Sequence, residues 1–185
     1  DVLGAARAMA IQLATHHSPD DVKIAAVFSA AERDEWAWLR WLPHVWSPNG
    51  SLRFLACDRE GAQRLLGVVN DLLNQRRRLL EDTQGNKEAI RFPYSLVVFV
   101  ADMGLAEESP VTQRLQAEGP TLGVYPIFLS DRFRGLPRDC EAAIKIDPVE
   151  SFVTFLESRV SRLFSPDSAS SGEAAQFAAA MAPIR

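Results

Sequence analysis

Asp102 stands at the end of an apolar run, Leu96-Val97-Val98-Phe99-Val100-Ala101, and a carboxylate in that position has a definite chemistry. Such a run reads as a strand buried on both faces, the pattern of a parallel sheet inside an α/β protein. Open α/β sheets bind their ligands at the carboxyl ends of the strands. An Asp placed there can hold Mg²⁺ through water beside a nucleotide. Hydrolysis also needs a group that accepts a proton from water and a loop that cradles phosphates. The next residue is Met103, which accepts no proton, and G-x-x-x-x-G-K-[ST] occurs nowhere in the chain. The plainer reading is that Asp102 caps the turn after its strand while Met103 packs. The sequence leaves both open.

Tryptophan is concentrated in Trp36-Ala37-Trp38-Leu39-Arg40-Trp41-Leu42-Pro43-His44, with Trp46 close behind. On an α-helix Trp38, Trp41 and Leu42 share one face and Trp36 and Arg40 lie on another. The stretch is either the anchor of a short helix laid against a sheet or a partner surface, since exposed Trp and Arg are typical binding hot spots. His44, just after Pro43, is placed to cap or hydrogen-bond a helix end. His16, His17 and His44 are the only histidines, and their spacing with Cys57 matches no metal motif. A nucleophilic pair of His44 with Cys57 or Cys140 has no local support either. Arg76-Arg77-Arg78 meets the negative end of its own helix dipole from a solvated face. Asp131-Arg132-Phe133-Arg134-Gly135 follows an apolar strand at the edge where Asp102 lies. Arg132 or Arg134 can there reach a phosphate or an acidic neighbour.

Positioning these groups takes alternating helices and strands. The apolar spacing predicts helices over 2–17, 32–42, 59–80, 111–118, 148–164 and 173–181, and strands over 22–28, 52–57, 94–101, 122–129 and 142–146. Polar, turn-rich segments at 81–91 and 130–137 read as loops, and 165–171 as a Ser-rich linker. The Ala-rich helix after it is expected to pack on something beyond the segment. This order specifies an α/β fold with a mainly parallel sheet flanked by helices. The 185 residues carry 47% apolar residues and a net charge of −4, enough for one core and no basic field for nucleic acid. Two distant cysteines with no secretory signal read as reduced thiols, and no apolar run nears the ~20 residues of a membrane helix.

Ala5-Ala6-Arg7-Ala8, His17-Ser18-Pro19-Asp20-Asp21-Val22, Trp36 through His44 and Leu73-Asn74-Gln75-Arg76, in this order, resemble the first, membrane-proximal ATPase-like domain of the EssC/EccC coupling proteins of type VII secretion, relatives of FtsK and SpoIIIE. The W-x-W-L-R-W-L-P-H stretch is the specific element, and the resemblance runs through the whole chain. It implies a RecA-like (P-loop NTPase-like) fold whose first strand and phosphate loop are missing from, or degenerate in, this segment. It also implies that 1–164 form a degenerate ATPase-like domain and that 165–185 lead to the next one. Asp102 then matches the metal-binding Asp of the second nucleotide motif, with Met103 in place of the acid. ATP and Mg²⁺ would be cofactors only of a longer chain. The implied partners are downstream ATPase domains of the same chain and the membrane subunits of the secretion complex, in a hexameric assembly, with small helical export substrates engaged indirectly. The implied place is the cytoplasmic face of the bacterial membrane. The absent strand would leave a seam open beside Val97 and Phe99.

Overall fold

Every residue of the strand Leu96–Val100 is buried, so its peptide groups can be satisfied only by neighbouring strands. The computed structural model, which describes residues 1–82, 90–106, 109–132, 135–137 and 139–183, supplies a neighbour on each side. The elements run α1 (Val2–His16), β1 (Val22–Val27), α2 (Arg33–Trp36), β2 (Leu55–Ala56), α3 (Arg59–Asp82), β3 (Ser95–Val100), α4 (Met103–Ala106), α5 (Pro110–Glu118), β4 (Val124–Phe128), β5 (Ala142–Lys145), β6 (Ser151–Phe155), β7 (Val160–Phe164) and α6 (Ser171–Met181). Four strands form a parallel sheet in the order β2-β1-β3-β4. Ile24 lies opposite Val97 and Ala26 opposite Phe99 in the β1–β3 ladder.

Alternate side chains feed two cores, one on each face of the sheet. Ile24, Ala26, Val97 and Phe99 pack with α1, α6 and the tryptophan segment. Ala25, Val27, Val98 and Val100 pack with α3, α4 and α5. The molecule is therefore the expected α/β sandwich. The seam expected beside Val97 and Phe99 is not found there, because β3 pairs with β1 on one side and β4 on the other. The two edges of this sheet are β2 and β4.

Three segments differ from the sequence reading. The helix expected over 148–164 is instead the hairpin β6–β7, which joins β5 in a separate antiparallel sheet. Asp147 does not cap a helix: its Oδ1 accepts the Val149 N–H at 3.0 Å, an Asx turn that diverts the chain. The following residues, Ser-Phe-Val-Thr-Phe and Val-Ser-Arg-Leu-Phe, carry the β-branched and aromatic types that fit a pleated sheet. The helix expected over 32–42 is only one α-turn, α2, flanked by 3₁₀ turns at Ala30–Glu32 and Ala37–Trp41. With three residues per turn, Trp36, Leu39 and Leu42 stack into one buried row. The second strand also shrinks, from 52–57 to Leu55–Ala56.

Segment 165–171 and the Ala-rich helix after it pack on this same body. Ala169 N–H donates to the Gly4 carbonyl at 3.0 Å, and a Cβ on Gly4 would overlap the Ser168 hydroxyl. Buried Arg7 donates to the Ala169 carbonyl at 3.1 Å and pairs with Glu35. Ser170 and Glu173 form a reciprocal capping box at the start of α6, and Ala174 and Ala178 are fully buried.

The opposite end of the sheet is fastened by Arg76. Rather than facing solvent, it continues the buried stripe of Leu65, Leu66, Val69 and Leu73 on α3 and is 2% exposed. Its guanidinium donates to the carbonyls of Leu122 (2.7 Å), Gly123 (2.9 Å) and Tyr94, and lies over the Phe92 and Tyr94 rings. Gly123 is left-handed (φ 69°), and a Cβ there would come 3.0 Å from Arg76 Nη1. Arg77, by contrast, pairs with Glu118 on the surface. Arg76→Ala strands three strand-entry carbonyls without their charged donor, and each such bond is worth about 1.5–3 kcal/mol. Urea denaturation is expected to show a loss of at least about 3 kcal/mol, with Arg77→Ala costing under about 1 kcal/mol.

Candidate functional site

The carboxyl ends of β1, β3 and β4 open on one edge of the sheet, and each is followed by an acid. Glu32 follows β1 in the 3₁₀ turn capped by Ser29, Asp102 follows β3, and Asp131 follows β4. Asp102 is partly buried, and its Oδ1 accepts the Leu105 N–H at 3.3 Å, closing the first turn of α4. The plain capping reading of the sequence is thus realised. Glu32 lies close enough to Asp102 and Asp131 to feel both charges. Its pKa is raised, first by burial and then by these two carboxylates, against the bond it accepts from Ser29. One of its oxygens is buried without a hydrogen-bond partner. Sequence reasoning missed Glu32 because its signal, an acid a few residues past a strand, is common to any capped turn.

Among the described residues, no group of three or more His, Cys, Asp or Glu is arranged to hold a metal ion. Three carboxylates at one edge repel a triphosphate, and the 185 residues contain no glycine loop of the phosphate-cradling kind. These residues do not by themselves fit Mg-nucleotide. Arg132 is exposed beside Asp131, its N–H bonded by Ser130 Oγ at 3.2 Å. Arg134 lies outside the described residues.

The tryptophan segment divides cleanly. Trp36 is buried between Phe28, stacked at 5.8 Å, and Phe99 at 5.9 Å. Trp38 is buried as well, and His44 is fully so. Arg40 and Trp41 alone of these candidates face solvent: Trp41 is 50% exposed, with the Arg40 guanidinium 5.1 Å from its ring centroid. A second stack of this kind, Arg53 on Trp46 at 4.4 Å, follows nearby in the chain. Trp36 comes into the buried row of Leu39 and Leu42, whereas Trp38 and Trp41, three residues apart, part because Trp41 lies at the end of the turn, where the core no longer covers it.

His44 does bond a helix end, though of a different helix from the one preceding it. Its Nε2 donates to the carbonyl of His17, the C-cap of α1, at 2.9 Å. Its Nδ1 is buried without a partner. Burial lowers its pKa, with Lys23 and His17 adding like charge and only the His17 carbonyl opposing. The ring is therefore held neutral in a structural role. Cys57 accepts from Arg33 at 3.2 Å and Cys140 donates to the Pro137 carbonyl at 3.2 Å.

No family model matches the chain. The chain is 29% identical over 134 residues, 72% of its length, to the ESX secretion system protein EccC of Geobacillus thermodenitrificans (strain NG80-2). It is 25% identical over 138 residues, 75% of its length, to the type VII secretion system protein EssC of Staphylococcus aureus (strain NCTC 8325 / PS 47). It spans 9% of each of these relatives. Two solved structures share the fold at 12% identity: EssC (ATPases 2 and 3) from Geobacillus thermodenitrificans, TM-score 0.69 over 99% of this chain and 42% of that one, and the cytoplasmic domain of EssC, TM-score 0.62 over 98% and 42%. The parallel sheet with its flanking helices is thus the architecture of EssC ATPase domains.

Two measurements follow from these placements. Trp36→Ala is expected to cost about 3–5 kcal/mol in chemical denaturation, while Trp41→Ala leaves the midpoint essentially unchanged. For His44, a folded-state pKa below its unfolded value of about 6.5 means that the unfolded chain binds the proton first. Stability is then lost as pH falls below about 6.5. The difference in urea midpoint between the protein and His44→Gln should narrow from pH 7.5 to pH 5.5 (roughly one unit either side of that value).

Proposed function

We propose that this chain is an ATPase-like unit of a type VII secretion protein of the EssC/EccC kind, its first and membrane-proximal one, and that it does not hydrolyse nucleotide itself. The carboxyl edge of the sheet carries this reading. Its central Asp102 is engaged in capping α4, the residue after it is Met103, and Glu32 and Asp131 add negative charge where phosphates would sit. The sequence relation to EccC and EssC supports the place in a secretion complex.

In this reading the unit transmits assembly state or force between a membrane anchor and downstream motor domains of the same polypeptide. Its neighbours are those ATPase domains and the membrane subunits, in a hexameric array at the cytoplasmic face of the membrane. Exported small helical proteins are met only indirectly, and nucleic acid not at all, consistent with the net charge of −4. Nucleotide can bias such a unit only by binding its two states unequally, and the missing proton acceptor does not forbid that. No helix among the described residues is long and apolar enough to cross a membrane, so the anchor is assigned to other residues.

A second reading, a pure interaction module, is favoured by one observation: Trp41 and Arg40 stack in solvent on an otherwise buried aromatic segment. Phosphate release with Mg-ATP distinguishes an enzyme from both readings. Turnover by the chain is expected at background, and Asp102→Ala should leave it there. Turnover above background that Asp102→Ala abolishes would overturn the proposal.

A further inference from the structure

The strand β7 ends the small sheet, and its outer edge meets no other strand among the described residues. The ladder fixes which groups that edge offers. Leu156 N–H donates to the Glu141 carbonyl at 2.9 Å, in the register that continues through Ala142–Phe155 and Ile144–Val153. Along an antiparallel strand, successive residues turn N–H and carbonyl to one neighbour and then to the other. Even-numbered residues of β6 therefore bond β5, while Ser151, Val153 and Phe155 bond β7 through Phe164, Arg162 and Val160. Ser161 and Leu163 are left with their N–H and carbonyl groups pointing outward. Val160, Ser161, Arg162 and Leu163 are all exposed, Leu163 to 63%.

Natural edge strands are blunted by proline, lysine or a bulge. Val160–Phe164 contains neither proline nor lysine, and its residues pair one to one with β6, without a bulge. Opposed to itself, this edge is complementary in one register. Outward groups must meet outward groups, so a two-fold pairing of β7 with β7 of a second copy centres on Ser161, Arg162 or Leu163. Centred on Arg162, it sets two guanidinium groups opposite each other at the closest spacing of the ladder, where like charges destabilise. Centred on Ser161, it puts each Leu163 against the charged Arg159 of the second copy. Centred on Leu163, the two leucines cover each other. Each Arg162 then lies opposite Phe164 of the second copy, and a guanidinium beside an aromatic ring is attracted to it.

We infer that the β7 edge binds the same edge of a second copy of this chain, antiparallel and centred on Leu163, joining two three-stranded sheets into one of six. The inference does not rest on the proposed function. A two-fold contact of this kind closes at two copies, so the edge is consumed and adds no further strands. Ile144, Val153, Phe155 and Val160 share one face of the small sheet by register, and that apolar face becomes continuous across the two-fold axis. An edge of five residues makes a small interface, hence a weak and reversible dimer.

The test follows the unaltered chain from about 20 μM to about 1 mM, the range in which weak pairing is read. Sedimentation equilibrium is expected to show monomer passing to dimer and to no larger species. Amide exchange by NMR should slow about three-fold or more at Ser161 and Leu163 over the same range, and far less at Arg162 and Phe164, which already bond β6. Leu163→Pro removes the outward N–H at the centre and no bond to β6, a position where an edge strand tolerates proline. It is expected to raise the dimer dissociation constant about ten-fold or more. A chain that stays monomeric at 1 mM, or exchange at Ser161 and Leu163 that ignores concentration, would overturn the proposal. So would a dimer that Leu163→Pro leaves intact, or one that protects other residues instead. Where the proline variant fails to fold, exchange on the unaltered chain decides alone.

Discussion

The peptide groups of β3 are the constraint around which the molecule is arranged. Val98, Phe99 and Val100 are fully buried, and an unpaired buried N–H or carbonyl costs as much as a lost hydrogen bond. Strands on both sides and helices on both faces are therefore required at once. α1, α6 and the tryptophan segment cover one face, while α3 and α5 cover the other. Arg76 then fastens α3 to the entries of β3 and β4 through three carbonyls. Its charge is met by carbonyl dipoles and aromatic rings in place of a carboxylate, which makes the joint directional and poorly replaceable by lysine.

The carboxyl edge has the shape of a nucleotide site without its electrostatics. A phosphate site gathers N–H groups and cations, whereas this edge gathers Glu32, Asp102 and Asp131. Burial raises the pKa of Glu32 first, and the two neighbouring carboxylates add to it. Such an edge has an α/β scaffold without the field that draws in a triphosphate, in keeping with the relay role proposed above.

The small sheet follows a different rule from the large one. Its strands are bonded mainly to each other, and Ile144, Phe155, Val160 and Leu163 remain exposed to 41–63%. It borders β4, one of the two edge strands of the parallel sheet, across a shared cavity and presents apolar surface to solvent.

The buried strands at 22–27 and 95–100 were legible because a strand covered on both faces needs a continuous apolar run, and little else produces one. The long helix at 59–82 was legible from its apolar stripe, and Asp102 from its place after such a run. What the sequence by itself determined is the alternation of helix and strand, hence the fold class, since periodicity is a local property. Tertiary structure alone decided the rest. Arg76 sits three residues past Leu73 on that stripe, yet only the carbonyls of Leu122, Gly123 and Tyr94 make burying it affordable. The tryptophans sort into core and surface by which of them the sheet and α6 cover, which local spacing does not announce. Residues 151–164 pair as a hairpin because Asp147 closes an Asx turn and the two strands find each other. Glu32, Asp102 and Asp131 meet, and β4 keeps a free edge, because strand order is set by long-range pairing, which no stretch of sequence encodes alone.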